Sequence, residues 1–340
     1  MAEGMPICAG FRRARATDGH MVTHVAHCRS AQPNARLKAL RMALLESRIR
    51  LGEVLRVAFV AALLLLVAPT TSAHASGIEY LMVPSAAMGR DIPVAFQGGG
   101  VHAVVLLDAF NANPEISNWV GAGAFDSLAN KGVSVAAPAG GAWSLYTNWE
   151  MDGSKQWETF LAEELPNWLS ANKGLAPSGH AIVGAAQGGT AAVTLAEFHP
   201  DRFRYAGSLS GFLTPSSTAM NGAITAGMSQ FGNVNTQAMW GAAQLGRWKW
   251  HDPGTHIKLL VDNNTRLWVY SPGALDCSDP AAMIGYCDQA QGSNRTFYQD
   301  YRRVLGTNGH FDIGSAGRHD WGSWGPQLTA MSGDLSAAIR

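Results

Sequence analysis

The sequence predicts an α/β fold with a mostly parallel central sheet, and three observations point there. Of the 340 residues, 47% are hydrophobic and 15% charged, which suits a globular chain burying a large core and excludes a disordered one. Short continuous apolar runs recur along the chain, and such runs fit strands covered on both faces better than half-exposed ones. Segments of helical spacing lie between them. No Pro/Ser linker, charge run or internal repeat divides residues 76–340, which read as one domain.

Ahead of that body lies a targeting segment. Val57 to Val67 is an unbroken apolar run preceded by Arg48, Arg50 and Arg56, and it is ended by Pro69. Ala73-His74-Ala75 then supplies small residues for cleavage, so residues 1–75 read as an extension plus a secretory signal peptide that is removed. The expected location is secreted or cell-wall associated. The run is too short to span a bilayer, and no later stretch reaches the ~20 apolar residues of a transmembrane segment. The zero net charge hides +6 over residues 1–75 and −6 over the remaining 265. A mildly acidic body argues against a nucleic-acid partner. Of the four cysteines only Cys277 and Cys287 fall in the body. Outside the cell that pair is expected to form one local disulfide, since no neighbouring Cys or His completes a metal ligand set.

The elements follow in order. Val101–Leu107 and Val133–Ala137 read as strands, and Lys155–Asn172 as a helix whose Trp157, Phe160, Leu161, Leu165, Trp168 and Leu169 recur at helical spacing. Pro166 predicts a kink inside it. His180–Val183 is a strand running into a turn, Thr190–Phe198 an Ala-rich helix, and Tyr205–Leu209 and Leu267–Ser271 further strands. Ser210–Asn264, rich in Gly, Ser, Thr, Asn and Met, reads as helices and loops inserted over the sheet edge. Its Trp240, Trp248 and Trp250 either pack a core or line a cleft for sugar or protein.

Gly184-Ala185-Ala186-Gln187-Gly188 holds the most chemical information. A strand, a glycine-flanked turn and a helix form the context of the G-x-S-x-G nucleophile elbow, although any strand-to-helix turn could read this way. The reactive corner is expected to face solvent, but residue 186 carries a methyl group. With no Oγ to deprotonate, a covalent acyl-enzyme cannot form there. His319 stands late in the chain, where the order nucleophile, acid, base puts the base, or it is a loop histidine bonded to backbone. Asp288 is the nearest candidate acid.

The chain resembles the secreted mycobacterial antigen 85 family, α/β-hydrolase-fold mycolyltransferases that acylate trehalose, over essentially all of residues 78–340. The residues that carry this are Tyr80 to Ser85 with Met88 to Asp91, Leu106-Leu107-Asp108, Gln156 to Leu161, Glu164 to Asn172, Asn263 to Tyr270, and Trp324 to Leu328. The resemblance places the family's serine on Ala186, its glutamate near Cys287–Gln289, where Asp288 is the acid, and its histidine on His319. The family's Asp-Gly-Leu-Arg falls on Asp108-Ala109-Phe110-Asn111. That keeps the sugar-contacting Asp108, makes Phe110 and Gln187 oxyanion-hole-like, and replaces the arginine with Asn111. The resemblance is nearest to a non-catalytic branch of the family. It implies a protein without cofactor or metal that binds fibronectin or another host matrix protein, small sugars or cell-wall glycolipid, with Asp108, Asn111, Trp240, Trp248, Trp250 and His319 as ligand-binding residues. In the catalytic relatives the region of Lys155–Lys173 is the one tied to fibronectin. The competing expectation is a residual esterase or acyltransferase in which His319, with Asp288, activates water.

Overall fold

The computed structural model describes residues 77–243, 246–273 and 286–340, apart from the side chains of 286–288. The expected Cys277–Cys287 bridge, the Asp288 carboxyl and the signal segment lie outside the described residues.

Eight strands form one sheet in the order β1-β2-β4-β3-β5-β6-β7-β8. They are β1 Glu79–Ser85, β2 Arg90–Gln97, β3 Ala103–Leu107, β4 Ser134–Pro138, β5 His180–Ala185, β6 Phe203–Leu209, β7 Arg266–Ser271 and β8 Gly309–Ile313. Pairings from β4 to β8 are parallel, while β2 is antiparallel to both β1 and β4. Five strands match the apolar runs. The others, β1, β2 and β8, lie outside those five segments, and β1 and β8 are the two edges of the sheet. In β1, Val83 and Ser85 are buried whereas Tyr80 and Met82 face solvent.

The sheet separates two cores, and strand alternation assigns residues to them. On β3, Val104 and Leu106 join Trp119, Phe125 and Trp324 on one side. Ala103, Val105 and Leu107 join Trp157, Phe160 and Leu165 on the other. The helices nearest the site are α1 Asn118–Gly121, α2 Ala124–Leu128, α3 Trp157–Thr159, α4 Leu165–Lys173, α5 Gln187–Phe198, α6 Thr218–Gln230, α7 Gln237–Trp240, α8 Arg247–Trp250, α9 Pro253–Asp262, α10 Tyr286–Arg303 and α11 Trp321–Ile339.

The helix expected over Lys155–Asn172 is present but not continuous. A π-helical turn at Phe160–Glu164 separates α3 from α4. Pro166 has no N–H to donate, and the Leu165 N–H reaches back five residues to the Phe160 carbonyl. The proline is thus accommodated by a wider turn. Among the described residues no helix is long and apolar enough to cross a membrane.

Candidate functional site

The carboxyl end of β5 positions the site. Ala185 pairs with Leu209 at the end of the strand, and Ala186 then turns the chain into α5 with φ 49° and ψ −113°. An L-residue held there stores strain on the order of 1–3 kcal/mol. The flanking glycines are required by space. A Cβ at Gly184 would lie 2.2 Å from the Gly188 carbonyl, and one at Gly188 would lie 2.6 Å from the Leu107 carbonyl oxygen. The corner therefore has the geometry of a nucleophile elbow, with a methyl group at its apex.

The corner does not face solvent as expected. Ala186 is 2% exposed and belongs to the same buried cluster as Phe110, Phe212 and Trp324. A run of stacked rings crosses that cluster. Trp143 lies on Phe110 at 4.7 Å, Phe110 on Phe212 at 5.5 Å, and Phe212 on His319 at 6.3 Å. His319, itself buried, meets Trp324 edge-on at 5.1 Å.

Several hydroxyls near the turn are engaged within the fold. Thr190 Oγ1 accepts from the Phe212 N–H at 2.8 Å, and Ser210 Oγ accepts from Trp324 Nε1 at 3.1 Å. Ser144 Oγ donates to the Gly141 carbonyl at 2.7 Å.

Gln187, expected beside an oxyanion, has its whole side chain engaged as a clamp. Its Oε1 accepts from the Leu145 N–H at 3.0 Å, while its Nε2 donates to the carbonyls of Ala109 at 3.0 Å and Gly141 at 2.8 Å. Those bonds tie the loop after β3 to the loop after β4. In the latter loop Trp143, Leu145 and Tyr146 all have positive φ. Sequence reasoning missed this strained loop, whose only local sign is Gly140-Gly141.

Asp108 is expected to touch sugar, but its side chain points inward and is fully buried. Its Oδ1 accepts from Ser117 Oγ at 3.0 Å and its Oδ2 from the Asn118 N–H at 3.2 Å, at the start of α1. Burial pushes its pKa up to about 7, against those hydrogen bonds, which pull it down. Asn111 is exposed.

The tryptophans correct a second expectation. Trp240 and Trp248 are buried, with Trp240 stacked on His251 at 4.6 Å and meeting Trp248 edge-on at 5.0 Å. They pack the inserted helices onto the body, because indole rings that find a partner for N–H fill a core well; Trp248 Nε1 donates to the Gly241 carbonyl. Trp250 is 52% exposed, but it stacks on Phe198 at the far end of α5, roughly 18 Å from the elbow at 1.5 Å per residue. The expected ligand-binding residues therefore do not converge on one cleft. Among the described residues no cluster of His, Cys, Asp and Glu could hold a metal ion.

Comparison with known proteins agrees with this architecture. A family model described as a putative esterase matches residues 85–335. The MPT51/MPB51 antigen of Mycobacterium bovis is 66% identical over 275 residues, 81% of this chain and 92% of that protein. The diacylglycerol acyltransferase/mycolyltransferase Ag85B of Mycolicibacterium smegmatis is 41% identical, covering 77% of this chain and 85% of its own. The crystal structure of Mycobacterium tuberculosis MPT51 superposes with a TM-score of 0.76 at 66% identity, covering 78% of this chain and all of that one. A serine hydrolase of Staphylococcus aureus, 14% identical with a TM-score of 0.61, shares the α/β-hydrolase fold.

Proposed function

The chain belongs to the antigen 85 family of α/β-hydrolase-fold proteins, and on that premise we propose that it is an exported binding protein that does not run acyl transfer at its elbow. One observation carries the reading: the apex of the elbow is a methyl group, and it is buried. Removing the nucleophile of a triad costs on the order of 10⁶-fold in rate. Export rests on the Val57–Val67 run and the Ala73–Ala75 site, which would release residues 76–340 as the mature domain.

The partner in this reading is a host matrix protein such as fibronectin, or a cell-wall carbohydrate. For a protein partner the available surface is the outer stripe of the π turn and α4, where Glu163, Asn167 and Ala171 are exposed at helical spacing. Neighbouring acids serve the fold. Glu158 pairs with His199 at 3.0 Å, and Glu164 accepts from Ser85 Oγ and the Ala87 N–H. Glu163→Lys is therefore the clean probe, and weakened fibronectin capture in surface plasmon resonance supports the assignment of this stripe.

The competing reading, in which His319 activates water, is separated by turnover of a short-chain ester. Wild type and His319→Ala should be equally silent, and activity lost in the variant would overturn the binding-protein reading. Ala186→Ser alone should not restore transfer to trehalose, because Asn111 stands where the family has arginine. Robust transfer by that variant would refute this account of the elbow.

A further inference from the structure

The two edges of the sheet are built differently. β1 is blunted by Pro84, which has no N–H to offer a further strand. β8, Gly309–Ile313, has neither proline nor lysine and follows β7 without a register shift. The Asn308 carbonyl accepts from the Leu267 N–H at 3.0 Å, and the Gly314 N–H donates to the Ser271 carbonyl at 2.8 Å. A parallel strand bonds one neighbour through alternate residues, so residues 308, 310, 312 and 314 serve β7. Gly309, Phe311 and Ile313 then turn their N–H and C=O groups outward, where the described residues supply no further strand.

An edge of this kind is a template for pairing, and its side chains are complementary to themselves. In an antiparallel pair centred on Phe311, the hydrogen-bonded positions are Phe311 opposite Phe311 and Gly309 opposite Ile313, the residues whose backbone faces out. His310 then lies opposite Asp312 of the second copy, and Asp312 opposite its His310. Both pairs fall at non-hydrogen-bonded positions, where Cα atoms approach to about 4.5 Å and side chains interact most closely. A shift of two residues would instead oppose Asp312 to Asp312 or His310 to His310, so the sequence selects one register. His310 is already held in place, stacked on Trp268 at 3.8 Å.

Apolar surface accompanies the edge on the other face of the strand. Phe311 is only half-buried, beside Tyr298 at 4.8 Å and Tyr301 at 5.2 Å, and Tyr298 is 39% exposed. Aromatic side chains of this kind are enriched in the centres of protein interfaces. We propose that this edge docks a second copy of the chain, with two β8 strands paired antiparallel about Phe311 across a two-fold axis. The contact is isologous, uses each β8 once and therefore stops at a dimer. It involves neither the elbow nor the exposed stripe of α4, so it stands or falls apart from the function proposed above.

Sedimentation equilibrium of the full chain tests it, with circular dichroism to confirm that each variant is folded. Wild type should reach twice the monomer mass as its concentration is raised. His310→Asp sets like charges opposite one another, and Asp312→Lys sets a cation opposite the imidazole, so each should weaken self-association at least tenfold. Mixing the two variants restores an acid opposite a cation or an imidazole at both positions, so the mixture should dimerise where neither variant does alone. A chain that stays monomeric, a dimer indifferent to both substitutions, a mixture that fails to recover, or assembly beyond the dimer would each overturn the proposal. Association through residues 1–76 gives the second of these outcomes, since it would not respond to β8.

Discussion

The two ends of the sheet differ in a way unusual for an open α/β fold, in which ligands sit beyond the carboxyl ends of the strands. At the carboxyl end the elbow keeps its strained backbone and its obligatory glycines, yet Ala186 is buried and carries only a methyl group. At the amino end, Arg266, Asp334 and the asparagines surround an open polar cavity. Backbone geometry and side-chain chemistry are therefore separable properties. The first follows from packing α5 against β3, and persists without a nucleophile. The second needs only that water or a ligand can reach a fixed set of polar atoms.

The strongest way to break this contrast is to open the aromatic cluster at the carboxyl end. Phe212→Ala should cost about 3–5 kcal/mol in urea denaturation, as for other large aromatic truncations in a core. It should still not create ester turnover, and new activity dependent on His319 would show that this cluster alone silences the site.

A second test uses proton linkage at Asp108. Folded, its pKa is about 7 against an ordinary 3.8, so its contribution to stability is full below pH 4. As pH rises the unfolded chain releases this proton first, and the contribution is lost until about pH 7, at up to ~1.4 kcal/mol per unit. Asp108→Asn should flatten that part of the stability curve. His180 and His251, both depressed to about 4 by burial, work in the opposite sense and destabilise the fold as pH falls below about 6.5, so the slope has to be read as a difference from wild type.

Gln187→Ala removes three hydrogen bonds from the clamp and leaves a buried N–H and two carbonyls wanting, for an expected loss of roughly 2–3 kcal/mol. The smallest effect belongs to the open end. Asp334→Asn breaks a partly exposed ion pair and should cost about 1 kcal/mol or less, because solvent screens it. A larger loss would mean that the cavity floor is a structural element of the fold first.

Legibility in the sequence followed the range of the interactions concerned. The turn at Ala186 could be read because its requirements are local: two glycines, a strand before and a helix after. The inward turn of Asp108 could not, since it depends on Ser117 and Asn118 folding back beneath it. Trp240 and Trp248 read equally well as cleft or core, because an indole suits either and only the docking of α7 and α8 decides. Strand β8, Gly309–Ile313, is not legible as an apolar run, because at the sheet edge it alternates polar and apolar residues.

The sequence by itself determined the α/β class, the strand-turn-helix corner and the absence of an oxygen at its apex, since each is a matter of periodicity or of one residue's atoms. Tertiary structure alone decided that the corner is covered and that the opposite end is open. Phe110, Phe212 and His319 come from three separate loops, and the polar cavity draws on residues 204, 263–266, 308 and 334. Chain segments that far apart meet only when the whole sheet closes, because burying two apolar faces at once is what brings their ends together.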